Sequence, residues 1–336
     1  MRQGLRRGAA ARLAMLVAGA VLAAVLVGAG SAGGAFKGKN GKIAFVLNTD
    51  YGQKIFVMNA NGSGRRQLTF KPRCKGYNCV ARMDIHPAWS PNGRRIAFTR
   101  SAGGTSYRIH VMNANGSGQK QLTRVGGKAY EADPAWSPDG KRIAFASQRG
   151  SNRFIYVMNA NGSGLKRLTP LDSEFDASNP AWSPDGTKIA FSSEGSSLVS
   201  VMNADGSAVK HLATRNNNNY GDAAPSWSPD GARIVYMMPD GAGLNQLWVM
   251  NSDGTAQRQI TTSGPPRSPA YKRPQFSQPS WSPDGAKIAF RREEAHRGSG
   301  LPLIAIAVMN PDGSGQRVLT KATLFPEYPD WGPVPR

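Results

Sequence analysis

The sequence predicts an all-β chain, a six-bladed β-propeller with four antiparallel strands per blade, its ring closed by the C-terminal strand joining the N-terminal blade. Three observations predict it. Trp recurs at positions 89, 136, 182, 227, 281 and 331, separated by 47, 46, 45, 54 and 50 residues. A Pro stands two residues before each of these Trp. The repetition is also incomplete at both ends, in complementary ways. Units of this length made of short, turn-punctuated β segments are propeller blades rather than helical arrays.

The elements follow in chain order. Arg2, Arg6, Arg7 and Arg12 form a basic start, Leu13 to Gly30 carries no charge, and Ser31 to Ala35 is built of small residues. This is the pattern of an export signal cleaved near Ala32 or Ala35. The apolar run of 18 residues also approaches a membrane span, so the alternative is an uncleaved anchor. Both readings of residues 1–35 place the propeller, residues 36–336, outside the cytoplasm: in the periplasm, in the cell envelope or secreted.

Each unit opens on a first strand such as "PAWS". Five of the six then turn through S-P-[DN]-G, at Ser90, Ser137, Ser183, Ser228 and Ser282. Pro suits the first central position of a turn, Asp or Asn bonds back to the backbone, and Gly takes the left-handed conformation. The second strand is "IAF" or "IVY". The third ends in "VMN", which enters a second turn, N-x-[DN]-G-[ST]. A short "LT"-like fourth strand closes the unit. "GKIAF" (Gly41 to Phe45) and "IFVMNANGSG" (Ile55 to Gly64) lack a first strand, and "PDWGP" (Pro329 to Pro333) supplies one with nothing after it. Joined, the two fragments complete a blade and remove the exposed edges.

"NPAWSPDGTKIAF" followed by "VMNADGS" resembles the TolB-type propeller repeat, also found in propellers of prolyl-oligopeptidase relatives. The resemblance covers about residues 39–333. TolB carries an α/β domain ahead of its propeller, and only a few residues separate the leader from "GKIAF" here. The resemblance therefore implies a TolB-like propeller without that domain, and does not by itself imply docking within a Tol–Pal envelope system.

In a four-strand meander both kinds of turn fall on one face, which is uniform in length and composition. The opposite face holds the variable connections, including "FKPRCKGYNCVARMDIH" (Phe70 to His86), "TSGPPRSPAYKRPQFSQ" (Thr262 to Gln278) and "RREEAHRGSGLP" (Arg291 to Pro302). Variable loops on a rigid frame are the usual seat of binding. The first strand should line the central channel. The residue before each Pro, His86, Asp133, Asn179, Ala224, Gln278 and Tyr328, would then surround its mouth. Asp84, Glu131 and Asp222 lie two residues further back, and Glu327 and Asp330 flank the last strand. This gives a polar, partly acidic mouth, read either as a solvated rim or as a ligand or partner site. His110, His211 and His296 read as packing or solvated residues.

Cys74 and Cys79, in "CKGYNC", are expected to form a local disulfide in an oxidising compartment; free thiols and a metal site are the weaker readings. No second Cys pair accompanies them, the His are scattered, and no metal or cofactor is expected. Calcium binding by "NADGS" would need more oxygen ligands and a terminal Glu. No G-x-S-x-G nucleophile elbow occurs. The net charge is +21, of which the leader's four Arg are part, and it favours anionic partners. Nucleic acid is not expected, because no nucleic-acid module is present.

The resulting expectation is an exported, monomeric, non-enzymatic binding or scaffold module for a protein or anionic envelope polymer. A membrane would be met only through an uncleaved leader. The alternative is a propeller enzyme of hydrolase or lyase type with a polar site at the channel mouth.

Overall fold

The computed structural model describes residues 36–70, 82–101, 106–124, 129–170, 176–193, 197–214, 223–264, 273–294, 302–320 and 325–335. The leader, the Cys74–Cys79 loop, Asp222 and His296 lie outside the described residues. The chain is an all-β β-propeller. Its strands form four four-stranded sheets and one eight-stranded sheet. In the larger sheet the meanders starting at Asp84 and Tyr130 are linked by one parallel bridge between Tyr107 and Tyr130. No helix among the described residues is long and apolar enough to cross a membrane.

The chain ends share a sheet. Strand Glu327–Pro333 pairs antiparallel with Asn40–Thr49, with Trp331 opposite Ile43 and Asp330 opposite Ala44. The "IAF" triplets are core: Ile43, Ala44, Phe45, Ile96, Ala97 and Phe98 are fully buried, as are their counterparts in later units. The repeated Trp are 0–4% exposed. The Trp136 and Trp227 indoles donate to the carbonyls of Ala88 and Ala181 in the preceding units, both at 3.2 Å.

The conserved-looking letters of the repeat have local jobs. In "SPDG", Asp139 Oδ1 accepts hydrogen bonds from Ser137 Oγ at 2.6 Å and Lys141 N at 3.0 Å. In the second turn, Asp205 Oδ1 accepts from Ser207 N and Oγ at 2.9 and 2.7 Å. These bonds hold both carboxyls below the usual range: for Asp205 the Ser207 bonds dominate, and for Asp139 the bonds from Ser137 and Lys141 outweigh burial. The Thr of each "LT" reaches back 14 residues to cap a third-strand amide, as Thr69 does for Ile55 at 3.0 Å. The fourth strands are shorter than their sequence suggests, often two residues such as Lys166–Arg167, because this Thr bond replaces ladder pairing.

His110 sits where Phe56, Tyr156 and Trp248 sit in other units, 7% exposed, its ring 5.6 Å from that of Phe98. Burial lowers its pKa to about 4. The fold therefore favours neutral His110. That stabilisation is complete above the ordinary imidazole pKa near 6.5 and is lost as pH falls from there toward 4. His110→Phe should flatten this acid-side loss, by up to about 3 kcal/mol at pH 4, measured by urea titration at pH 4 and pH 7.

Candidate functional site

The six residues that precede the first-strand prolines share an unusual backbone. His86, Asp133, Asn179, Ala224, Gln278 and Tyr328 have φ of 50°, 55°, 51°, 44°, 56° and 53°. The sequence gives no sign of this, since a residue before Pro is biased toward extended backbone. The left-handed conformation costs a non-glycine residue about 1–3 kcal/mol. The cause is a bulge. Ile85 pairs with Thr99 but Ala88 with Ala97, so three steps on the first strand match two on the second. The same shift occurs between Ala132 and Ala135, between Ser178 and Ala181, and between Ser277 and Ser280. The closing strand repeats it: Glu327 pairs with Val46 and Asp330 with Ala44. Bulges re-aim side chains. Here they bring counterparts of neighbouring units together along the run Gln278, Tyr328, His86 and Asp133.

The re-aimed side chains meet. Gln278 Oε1 accepts a hydrogen bond from Tyr328 N at 2.7 Å. The Tyr328 ring packs edge-on against His86, centroids 4.4 Å apart. His86 Nδ1 lies 2.9 Å from Asp133 Oδ1. Asn179 Nδ2 donates to Ser178 Oγ at 3.1 Å. All these residues are buried, none more than 6% exposed. The belt therefore lies inside the molecule and not on a solvated rim, which corrects that reading. Ala224 is also buried, and Ser192 Oγ accepts from its amide at 3.1 Å.

Two of the acids expected at the mouth are matched by second-strand arginines. Arg100 grips Asp84 through Nε and Nη2, at 2.5 and 3.1 Å. Arg149 Nη2 contacts Glu131 Oε1 at 3.0 Å. The mouth is thus not the acidic surface that its carboxylates alone suggested. Arg100 and Arg149 follow "IAF" by two and four residues, and nothing in the repeat marks them. Glu327 is raised in pKa by burial and accepts from Gln53 Nε2 at 3.0 Å. Asp330 belongs to a different place, the joint between units. Its Oδ2 accepts from Trp89 N at 2.6 Å, and burial raises its pKa to about 7. Ser226 and Ser280 do the same for Trp281 and Trp331, at 3.3 and 3.1 Å.

Buried polar atoms remain without a hydrogen-bond partner at the belt: His86 Nε2, Glu131 Oε2 and Asn179 Oδ1. An unmet polar atom inside a protein costs about 1–3 kcal/mol, so such atoms mark either a site or trapped solvent. Among the described residues, no three His, Cys, Asp or Glu converge to hold a metal ion. A cleft of about 220 Å³ lies elsewhere, between the turns at Ser183–Asp185 and Asp230–Gly231.

The ladder order, the shared end sheet and the inward belt define a β-propeller protein. The TolB beta propeller domain signature matches residues 74–179 and 172–336, and the chain belongs to that family. Among solved structures it is similar to TolB from Acinetobacter baumannii, at 21% identity and TM-score 0.68, over 89% of this chain and 68% of that one. It is also similar to a putative TolB from Agrobacterium tumefaciens, at 17% identity and TM-score 0.58, over 88% of this chain and 99% of that one. An oligogalacturonate lyase in complex with manganese shares the fold at 14% identity and TM-score 0.53, over 87% and 78% of the two chains. No curated protein sequence matches significantly.

Proposed function

We propose that this chain is an exported six-bladed propeller that works as a binding or scaffold module rather than an enzyme. It takes a protein or an anionic envelope component on the variable-loop face, with a segment of that partner entering the channel mouth to meet the buried belt. The four smaller sheets, with the two meanders of the eight-stranded sheet counted separately, support six blades. Contacts from unit to unit support closure: Arg317 Nη1 reaches Asn61 O at 3.4 Å and Arg66 Nη1 reaches Asn115 O at 3.1 Å.

One observation carries the reading. The same left-handed backbone recurs in unit after unit, yet the side chain it carries differs each time: His, Asp, Asn, Ala, Gln and Tyr. A purely structural belt would be served by one residue type. Varied side chains on a fixed backbone, with His86 Nε2, Glu131 Oε2 and Asn179 Oδ1 unmet, suit recognition of an asymmetric ligand. Asp84, Glu131, Asp133, Gln278 and Tyr328 shape the same site, and Asp222 is assigned to it from sequence.

The test is affinity capture from the native envelope with wild type and with the double variant Glu131→Gln/Asn179→Ala. Loss of a captured component at unchanged melting temperature supports the site. Full capture by the variant sinks it. Turnover of an oligosaccharide or peptide panel that disappears in the same variant would favour the enzyme reading.

A further inference from the structure

The opposite face carries a second feature. A cation stands at or beside the start of every second strand there: Lys42, Arg95, Arg142, Lys188, Arg233 and Lys287. Every fourth strand brings another: Arg66, Lys120, Lys166, Lys210, Arg258 and Arg317. Arg65, Arg94, Lys141 and Arg167 add to them. The acids of this face are the turn aspartates, and they are fewer. Their oxygens are occupied by serine or threonine hydroxyls and turn amides.

The two faces also differ in how charge is balanced. Each Arg–carboxylate pair found among the described residues lies toward the variable face: Arg100–Asp84, Arg149–Glu131, Arg153–Asp176, Arg291–Glu293 and Arg292–Glu294. On the turn face the cations bond to neutral oxygens instead. Lys166 Nζ reaches Asp205 O at 3.2 Å, Lys210 Nζ reaches Asp253 O at 3.0 Å, and Lys42 Nζ reaches Asn59 Oδ1 at 2.8 Å. A carbonyl orients an ammonium group without cancelling its charge. The turn face is therefore a broad surface of net positive charge: its Lys and Arg outnumber the turn aspartates, which stay ionised and offset part of the charge.

The chain enters from this same side. Gly38 N donates to Pro283 O at 3.0 Å, and Asn40 Nδ2 donates to Asp284 Oδ2 at 2.8 Å, both on an "SPDG" turn. Phe36 is 6% exposed and packs in one cluster with Ala88 and Trp136. Gly38 and Asn40 thus lie against the turn face.

We propose that the turn face docks on an anionic lipid bilayer and holds the variable face and channel mouth away from it. Basic residues near a surface of acidic phospholipid gain attraction that sums over the patch and fades with salt. Cations contributed by every unit spread the charge over the whole face, which suits an extended anionic surface such as a bilayer. This surface is independent of the channel mouth, so either assignment can fail alone.

The experiment is co-sedimentation of the full chain with vesicles of phosphatidylcholine, with and without phosphatidylglycerol, at low and high salt. The test variant is Arg65→Glu/Arg94→Glu/Lys141→Glu, whose side chains are exposed and make none of the inter-unit bonds described above. The control is Arg124→Glu/Arg273→Glu at the other face, with melting temperatures compared for all three proteins. The expected result is binding that requires phosphatidylglycerol, weakens with salt, and falls at least about tenfold in the triple variant alone. Equal binding by the triple variant, or an equal loss in the control, overturns the assignment of this face. Equal binding to pure phosphatidylcholine overturns the role of charge. Equally tight binding of a soluble glycerol-phosphate polymer makes the partner a wall polymer and overturns the bilayer.

Discussion

Asp330→Asn should make the protein more stable at pH 8 than the wild type, with the advantage vanishing toward pH 4. Asp330 is 3% exposed and accepts from Trp89 N across a unit boundary. Burial dominates its pKa and raises it from the ordinary carboxylate range to about 7; the Trp89 and Ser280 bonds act in the opposite direction. The sign follows from linkage. A carboxyl with a raised folded pKa gives stability that is fully present below its unfolded pKa and is lost as pH rises through about 7. Three pKa units correspond to about 4 kcal/mol. Asn keeps a carbonyl oxygen for Trp89 N–H and carries no charge at any pH. Urea titrations of both proteins from pH 4 to pH 8 would check it. Parallel curves for the two proteins would show that Asp330 is not the group responsible.

Trp331→Ala should cost about 3–5 kcal/mol, a large share of the roughly 5–15 kcal/mol that holds a domain together. Trp331 is 3% exposed and packs with Ile43, Phe45, Leu47, Met58 and Ile306. Most of these belong to the N-terminal strands, so the cavity opens in the sheet that joins the chain ends. The loss should appear as a lower urea midpoint. It should exceed the loss from Val318→Ala, since Val318 is 49% exposed. Equal losses in the two variants would mean that the end sheet is not a stability centre.

The frame was legible because the repeat writes it six times over. Trp136, "SPDG" and "IAF" each have a local physical reason, and averaging over copies separates the reason from chance. The joining of Glu327–Pro333 to Asn40–Thr49 could likewise be read from two complementary fragments. The site was only half legible. The residue before each Pro could be singled out by position, but its left-handed backbone could not, because local preference points the other way and the bulge is imposed by the neighbouring strand. Nor could the pairing of Asp84 with Arg100 or of Glu131 with Arg149. Each pair occurs in a single unit, so repetition gives no second copy to compare. The charge asymmetry of the faces was hidden for a related reason. Lys and Arg look evenly spread along the chain, and only the fold sorts them.

The shared end sheet has a consequence for timing. The strand that starts at Asn40 is synthesised before the other described strands, and its partner starting at Glu327 after them. Until that partner arrives, the first sheet keeps a bare edge and the joint at Trp89 lacks the Asp330 carboxylate. Closing so long a loop is slow, and its entropic cost falls on the final step. A growing chain therefore holds its earliest strands unfinished until the strand starting at Glu327 has been made. A product cut short before that strand would remain an open, sticky arc rather than a slightly smaller ring.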